Sequence, residues 1–418
     1  MWASIARQLR EKENKNSKKN LIITFKRNYP LCYKLMEKVI ISNNELINNL
    51  RLIENEDYIA IDTEFIRDTT YFSKLCLIQV ASKKHNFIID PLAEGLDISL
   101  FWNVLKNNSI LKIFHSGRQD LEIFYNIFGK LPSPIYDTQI AAMVCGYGDQ
   151  ISYEHLVFDL LGIKIDKSSR VSNWSYRPLS NKQISYALSD VTHLVNLYEI
   201  LKKRISANNR ENWIEEDITN LSNIENYKLK PDEAWKKIKF KSFKGESMNR
   251  LKHLAEWREN LSINRNVTKN KIARDEVLIE IASNDPKNIN DFRRIRGLKL
   301  DNNKKTIDEI LLILEKAREI PKELWPVKDI PKKKKINQPA VLELLKVLLK
   351  HVSEENKVAP KLIAKQLDLE IIASGEKNDL KLFQGWRYEI FGGLVENLIE
   401  GKIAIKIQNG KLLILKNI

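Results

Sequence analysis

The eight residues Tyr-Ile-Ala-Ile-Asp-Thr-Glu-Phe, Tyr58 to Phe65, constrain this chain more than any other stretch. An apolar run of this kind predicts a strand. The Asp-x-Glu at its carboxyl end sets Asp62 and Glu64 where open α/β sheets place their active sites. Two further stretches carry acids: Phe-His-Ser-Gly-Arg-Gln-Asp-Leu, Phe114 to Leu121, holds Asp120, and Tyr-Ala-Leu-Ser-Asp, Tyr186 to Asp190, holds Asp190. Carboxylates gathered in one place repel one another unless cations are present. Together the three stretches read as a two-metal phosphodiesterase site.

Hydrolysing a phosphodiester requires an activated water, neutralisation of a phosphorane-like charge and help for the leaving oxygen. Two divalent ions ~3.5–4 Å apart supply all three. Mg²⁺ and Mn²⁺ prefer carboxylate oxygens and water, so Asp62, Glu64, Asp120 and Asp190 are the expected ligands of two divalent metal ions. Tyr186 lies four residues before Asp190 on a predicted helix and shares its face, which lets the hydroxyl orient or deprotonate the attacking water. Each piece has a plainer alternative. A lone Asp-x-Glu is more often a solvated strand end, and Tyr186 also fits a core aromatic. His115 and Gln79 are candidate substrate contacts for which a structural role is the simpler reading.

Around the acids the pattern is α/β. Tyr58–Asp62, Lys74–Ala81, Asn86–Asp90 and Leu111–His115 read as strands. Gly117–Phe128 reads as a helix stopped by Gly129 with Pro132 beyond, and Thr138–Cys145 and Tyr153–Leu161 as short helices. Ser180 is the expected N-cap of a long helix from Asn181 to about Lys203. The expected organisation is a basic extension over 1–35 (Met36 being an alternative start), an α/β domain over 36–207, a charged linker over 208–244, a small helical domain over 245–325, a basic Pro/Lys linker over 326–337 and a second small helical domain over 338–418. Lys402–Leu415 looks β-like within the last.

At 418 residues the chain is long enough for about three domains. Its 69 Lys and Arg against 54 Asp and Glu leave a formal net charge of +15, which favours a polyanionic partner such as nucleic acid, although Lys, Asn and Ile are abundant throughout. Cys32, Cys76 and Cys145 form no disulfide or zinc pattern, and the six histidines lack metal-ligand spacing. No apolar run approaches the ~20 residues needed to cross a bilayer, so a soluble cytoplasmic protein without membrane attachment is expected.

The three acidic stretches, in this order and spacing, resemble the exonuclease motifs of the DEDD superfamily. With Tyr186 four before the last Asp and Ser185 five before it, they match its tyrosine subclass. Asp-Thr-Glu-Phe, His-Ser-Gly-Arg-Gln-Asp-Leu-Glu, Tyr-Asp-Thr-Gln-Ile-Ala-Ala-Met and Asp-Lys-Ser-Ser-Arg, followed by Trp-Ser and Arg-Pro-Leu-Ser, are similar to the corresponding words of the ribonuclease D family. Leu251-Lys-His-Leu-Ala-Glu-Trp-Arg-Glu and the segments up to Ile295-Arg-Gly-Leu resemble the helical HRDC domain shared by RecQ-type helicases and ribonuclease D. Gly-Trp-Arg-Tyr-Glu-Ile-Phe-Gly, Gly385 to Gly392, resembles a second, more divergent copy.

The resemblance implies an α/β ribonuclease H-like exonuclease domain followed by two small all-α helical domains that bind RNA. It also implies 3′→5′ removal of nucleotides as 5′-mononucleotides, tRNA precursors as substrates and a monomeric protein. Asp62, Glu64 and Asp190 would hold the catalytic ion and Asp120 the second. Lys167, Arg170, Trp174 and Arg177 are then expected to hold the RNA backbone or stack on a base near the 3′ end, a capped loop being the alternative. Two other functions compete: a 3′→5′ DNA exonuclease, which would use the same four carboxylates, and a non-catalytic RNA-binding protein, against which the intact acidic set argues.

Overall fold

The computed structural model describes residues 38–166, 168, 172–240, 245–292, 295, 304–327, 338–376 and 379–416. The extension read over 1–35 and most of the linker read over 326–337 lie outside them. The chain forms two compact units, one built from the residues up to Phe65, Leu75–Ile224 and Lys333–Ile418, the other from Ile66–Lys74 and Glu225–Lys332.

The first unit begins with β1 (Val39–Ile40), α1 (Asn43–Ile53), β2 (Tyr58–Ile66), β3 (Lys74–Ala81), β4 (Asn86–Ile89), α2 (Ser99–Leu105), β5 (Leu111–Phe114), α3 (Arg118–Phe128), β6 (Ile135–Asp137), α4 (Thr138–Val144), α5 (Tyr153–Leu161), α6 (Asn181–Ala207) and α7 (Glu211–Leu221). The strands make one sheet in the order β1-β4-β3-β2-β5-β6. Pairs β1·β4, β2·β5 and β5·β6 are parallel and β3·β4 antiparallel. β2 is interior, so its apolar half, Ile59, Ala60 and Ile61, is fully covered. Its ladder with β5 runs from Tyr58↔Leu111 to Ala60↔Ile113, so Asp62 and Glu64 continue past the paired stretch towards the sheet's carboxyl edge. That is where the Asp-x-Glu reading places them.

The four strands expected from sequence are present. β1 and β6, at two and three residues, are too short to leave a pattern. α6 starts at the expected Ser180, whose hydroxyl accepts from the Gln183 backbone N–H while the Gln183 side chain reaches back to Ser180, and it runs on to Ala207. Lys112 of β5 is fully buried, and its ammonium donates to the carbonyls of Asn107 at 2.8 Å, Ile110 at 2.7 Å and Ser133. Burial pushes its pKa down to about 8. This lysine thus ties together the loops that follow α2 and α3, at Asn107–Ile110 and Ser133.

The second unit comprises a 3₁₀ turn over Pro231–Lys237 and helices α8 (Glu246–Arg265), α9 (Lys269–Ile272), α10 (Asp275–Asn284), α11 (Ile289–Phe292) and α12 (Lys304–Glu319). Trp235 and Ile238 join Leu251, Leu254, Leu278, Ile281, Phe292 and Leu314 in its core. Arg250 and Arg258 are buried because their guanidinium groups donate to backbone carbonyls of Ala282 and Ala273, and Arg258 also meets Asp275 at 2.7 Å. Residues 66–74 belong to this unit: the Tyr71 hydroxyl donates to Glu259 and the Phe72 N–H to the Asn266 side chain.

The closing segment of the first unit has α13 (Pro339–Asn356), α14 (Pro360–Ile363), α15 (Gln366–Ala373), α16 (Gly385–Arg387), a π turn over Tyr388–Gly392, α17 (Gly393–Ile399) and a hairpin of β7 (Ile403–Gln408) and β8 (Lys411–Lys416). It repeats the plan of the second unit 91 residues later. α8 ends at Arg265 with left-handed Asn266, α13 at Asn356 with left-handed Lys357; α9 and α14 span four residues at the same offset, and Ala273 and Ala364 follow them in the same extended conformation. The Val267 N–H donates to Ser262 O, and the Val358 N–H to Ser353 O. The two helical modules thus share one turn chemistry despite little common sequence, and the hairpin is what the β-like tail predicted.

One expectation is corrected. Residues 208–244, read as a linker, contain α7, whose Trp213 is buried and stacks on Trp386 with ring centroids 4.2 Å apart at 11°. Arg387 pairs with Glu216 at 2.5 Å on the same helix. The acids that make α7 look like a solvated linker are partners for the closing segment.

Candidate active site

Each acidic residue is delivered by a different local device. Asp62 and Glu64 ride on β2, two apart and therefore on one face of the strand. Asp120 sits in the first turn of α3, which a tight loop launches: Ser116 has φ 57°, and a Cβ on Gly117 would lie 2.5 Å from Phe114 Cβ. Asp137 holds this loop by accepting from the Ser116 and Gly117 N–H groups at 3.1 and 2.8 Å, and it also caps α4 through Gln139 N–H at 2.8 Å. Tyr186 and Asp190 share a face of α6, whose other side buries Ile184, Leu188, Val191 and Val195.

Carboxylate oxygens of Asp62, Glu64 and Asp190 lie within 4.8 Å of one another. Asp120 is buried and accepts a short hydrogen bond from the Thr63 hydroxyl. Burial first, and then the Asp190 charge, push the Asp62 pKa up to about 8. Burial, then Asp62, Asp190 and Asp120, push Glu64 up to about 9. Asp120 is raised strongly by burial and by Asp62. The Tyr186 hydroxyl is raised too, chiefly by burial and then by Asp190, to which it is hydrogen-bonded. With no cation among them these groups hold protons far above the usual carboxylate range, and hard oxygen donors so arranged suit a divalent ion.

Asp62, Tyr186 and Asp190 open onto a cleft of about 260 Å³ whose far wall includes His115, Gln139, Ser152, Tyr153 and Glu154. His115 faces the Thr138 hydroxyl through Nδ1 at 3.0 Å and the Ile151 carbonyl through Nε2 at 3.2 Å, so both ring nitrogens are engaged, and burial lowers its pKa. Tyr153 donates to the Ser189 carbonyl at 3.0 Å, one residue before Asp190. Sequence reasoning named His115 but missed Thr63, Asp137 and the other residues of this wall. Asp137 carried the one usable signal, an N-cap position before a short helix.

The weaker candidates fare differently. Gln79 on β3 is fully buried, with neither amide atom hydrogen-bonded, so it does not reach a substrate. Trp174 is also buried; its ring packs against Tyr186, centroids 6.1 Å apart, and cannot stack on a base. Arg177 spends every N–H internally. It grips Asp90 in two bonds of 2.6 and 2.7 Å and donates to the carbonyls of Cys76, Trp174 and Tyr176. Both act as supports, Arg177 tying the Trp174 loop to the ends of β3 and β4. Lys167 and Arg170 lie outside the described residues.

Comparison with known proteins agrees with this geometry. Residues 38–206 match the 3′-5′ exonuclease family model, and residues 247–314 match the HRDC domain. Ribonuclease D of Bartonella henselae is 42% identical over 384 residues, covering 91% of this chain and 94% of that protein. Ribonuclease D of Sphingobium indicum is 40% identical over 364 residues, covering 86% and 94%. The crystal structure of Escherichia coli RNase D, an exoribonuclease involved in structured RNA processing, superposes with a TM-score of 0.72 at 28% identity over 87% of this chain and 98% of that one. From its acidic cleft to its helical modules, the chain belongs to the ribonuclease D family of 3′→5′ exoribonucleases.

Proposed function

We propose that the protein trims the 3′ ends of structured RNA, tRNA precursors among them, by metal-dependent hydrolysis that releases 5′-mononucleotides. The observation that carries this reading is the convergence of Asp62, Glu64 and Asp190 within 4.8 Å, with Tyr186 bonded to Asp190 on the lip of the same cleft. The donor set fits Mg²⁺ or Mn²⁺: Asp62, Glu64 and Asp190 would hold one ion and Asp120 would serve a second. Divalent ions bound there supply charge stabilisation at the scissile phosphate.

The chain's own groups do the positioning. Asp190 fixes the Tyr186 hydroxyl, and Trp174 backs its ring. Held in this way, the Tyr186 hydroxyl is placed to orient the attacking water or to take its proton. Thr63 holds Asp120 in register with β2.

Affinity is argued from charge. Residues 38–206 carry 18 Lys and Arg against 19 Asp and Glu, whereas residues 207–418 carry 42 against 32. The salt-dependent contribution to RNA binding therefore belongs chiefly to the part of the chain that holds the helical modules. The test uses a 5′-labelled RNA with a short 3′ extension and the matching DNA, with Mg²⁺, Mn²⁺ or EDTA. The expected result is a metal-dependent ladder shortening from the RNA 3′ end. No cleavage by folded protein that still binds RNA would overturn the reading.

A further inference from the structure

Beside the cleft lies a second concavity of about 740 Å³, lined by Glu154, His155, Phe158, Lys164, Ile165 and Asp166. Its origin is local. Leu156 and Val157 of α5 point into the core, which turns His155 and Phe158 outward at helical spacing. Left-handed Gly162 (φ 70°) ends the helix and returns the chain, so that Lys164 and Ile165 come back against the helix's outer side. Phe158 is left 57% exposed. The His155 ring is held by Ser152 Oγ at 2.9 Å, and the Asp166 carboxylate is engaged within its own turn by the Ser168 N–H and hydroxyl.

A single exposed phenylalanine needs no explanation on most surfaces. Here Glu154 lines both concavities, so the groove adjoins the cleft that takes the RNA terminus. We propose that this groove is a subsite for the unpaired nucleotides immediately upstream of the one being removed, Phe158 stacking on a base and Lys164 meeting the backbone phosphate. The occupant is the substrate strand itself, because a strand whose 3′ end enters the cleft passes the adjoining wall at Glu154. An aromatic face beside a cation is also the chemistry that binds single strands without reading sequence. The inference rests on the exoribonuclease reading and adds to it the residues that would hold the single-stranded 3′ tail.

The test measures hydrolysis of a 5′-labelled oligoadenylate 12-mer by the full chain and by its Phe158→Ala, Phe158→Trp and Lys164→Ala variants. Phe158→Ala is expected to raise KM about tenfold, the loss appearing in KM rather than kcat, with Trp restoring most of it. An abasic site at one position within a few nucleotides of the 3′ end should cost the wild type a similar factor and Phe158→Ala nothing more. Lys164→Ala should raise KM and flatten its dependence on salt. Unchanged KM in Phe158→Ala, or abasic losses that simply add to it at every position, would overturn the subsite while leaving the exonuclease intact. So would a Phe158→Ala effect that appears in sedimentation as an altered oligomeric state. Absence of any 3′ ladder from the wild type would instead overturn the functional reading.

Discussion

The acidic cluster should make the metal-free protein less stable than its own inactive variant. Asp62 ordinarily titrates near 3.9, and its surroundings raise this to about 8. At pH 7 the unfolded chain has an ionised Asp62 while the folded chain must protonate it. Roughly three pKa units at 1.36 kcal/mol each then cost about 4 kcal/mol of stability. The sign follows from the folded state binding the proton more tightly. The group is without penalty below about pH 4, and stability is lost as pH rises from there to about 8, or to about 9 for Glu64. Asp62→Asn removes the charge while keeping the shape. In EDTA at pH 8 its Tm should exceed that of the wild type by several degrees, at about 2–4 °C per kcal/mol. The difference should shrink towards pH 5. Saturating Mg²⁺ should raise the wild-type Tm and leave the variant's nearly unchanged, although the variant hydrolyses no RNA. Thermal unfolding in EDTA, scanned over pH, provides the measurement. An Asp62→Asn variant no more stable than wild type at pH 8 would mean that the cluster is neither crowded nor buried enough to need a cation, and the ligand assignment would fall with it.

Three other outcomes are expected. Tyr186→Phe should lower kcat about a hundredfold with little change in KM for RNA, because it removes a water-orienting hydroxyl and leaves the ring against Trp174; steady-state kinetics check this. Gly117→Ala drives a Cβ into Phe114 at 2.5 Å and should cost about 1–3 kcal/mol in denaturant melts, with a parallel loss of activity as the first turn of α3 and Asp120 are displaced. Trp213→Ala removes one member of a stack flanked by Arg210 and Arg387, whose guanidinium carbons lie 4.5 and 4.6 Å from the two ring centroids. It should destabilise the first unit by about 3–5 kcal/mol, seen as a lowered Tm, whereas a solvated linker tryptophan would cost almost nothing.

What the sequence alone determined is local. The apolar run of β2, the capped start of α6 and the four-residue step from Tyr186 to Asp190 each follow from backbone periodicity and side-chain chemistry over a few residues. The plan of sheet and helices and the four acids were legible for that reason, and the family words carried their function. What the tertiary structure decided depends on residues far apart in the chain. In sequence Gln79 reads more simply as structural, and Trp174 and Arg177 fit substrate contacts or a capped loop equally well; burial and the Asp90 carboxylate, 87 positions from Arg177, are what turn all three inward. The charged stretch around Trp213 looks like a linker until Trp386 and Arg387 arrive from the other end of the chain to pair with it. The exposed face of Phe158 becomes a candidate subsite because Gly162 turns the chain back beside the cleft. Charge and polarity are properties of a residue, but whether they face solvent, a partner or a substrate is a property of the packing.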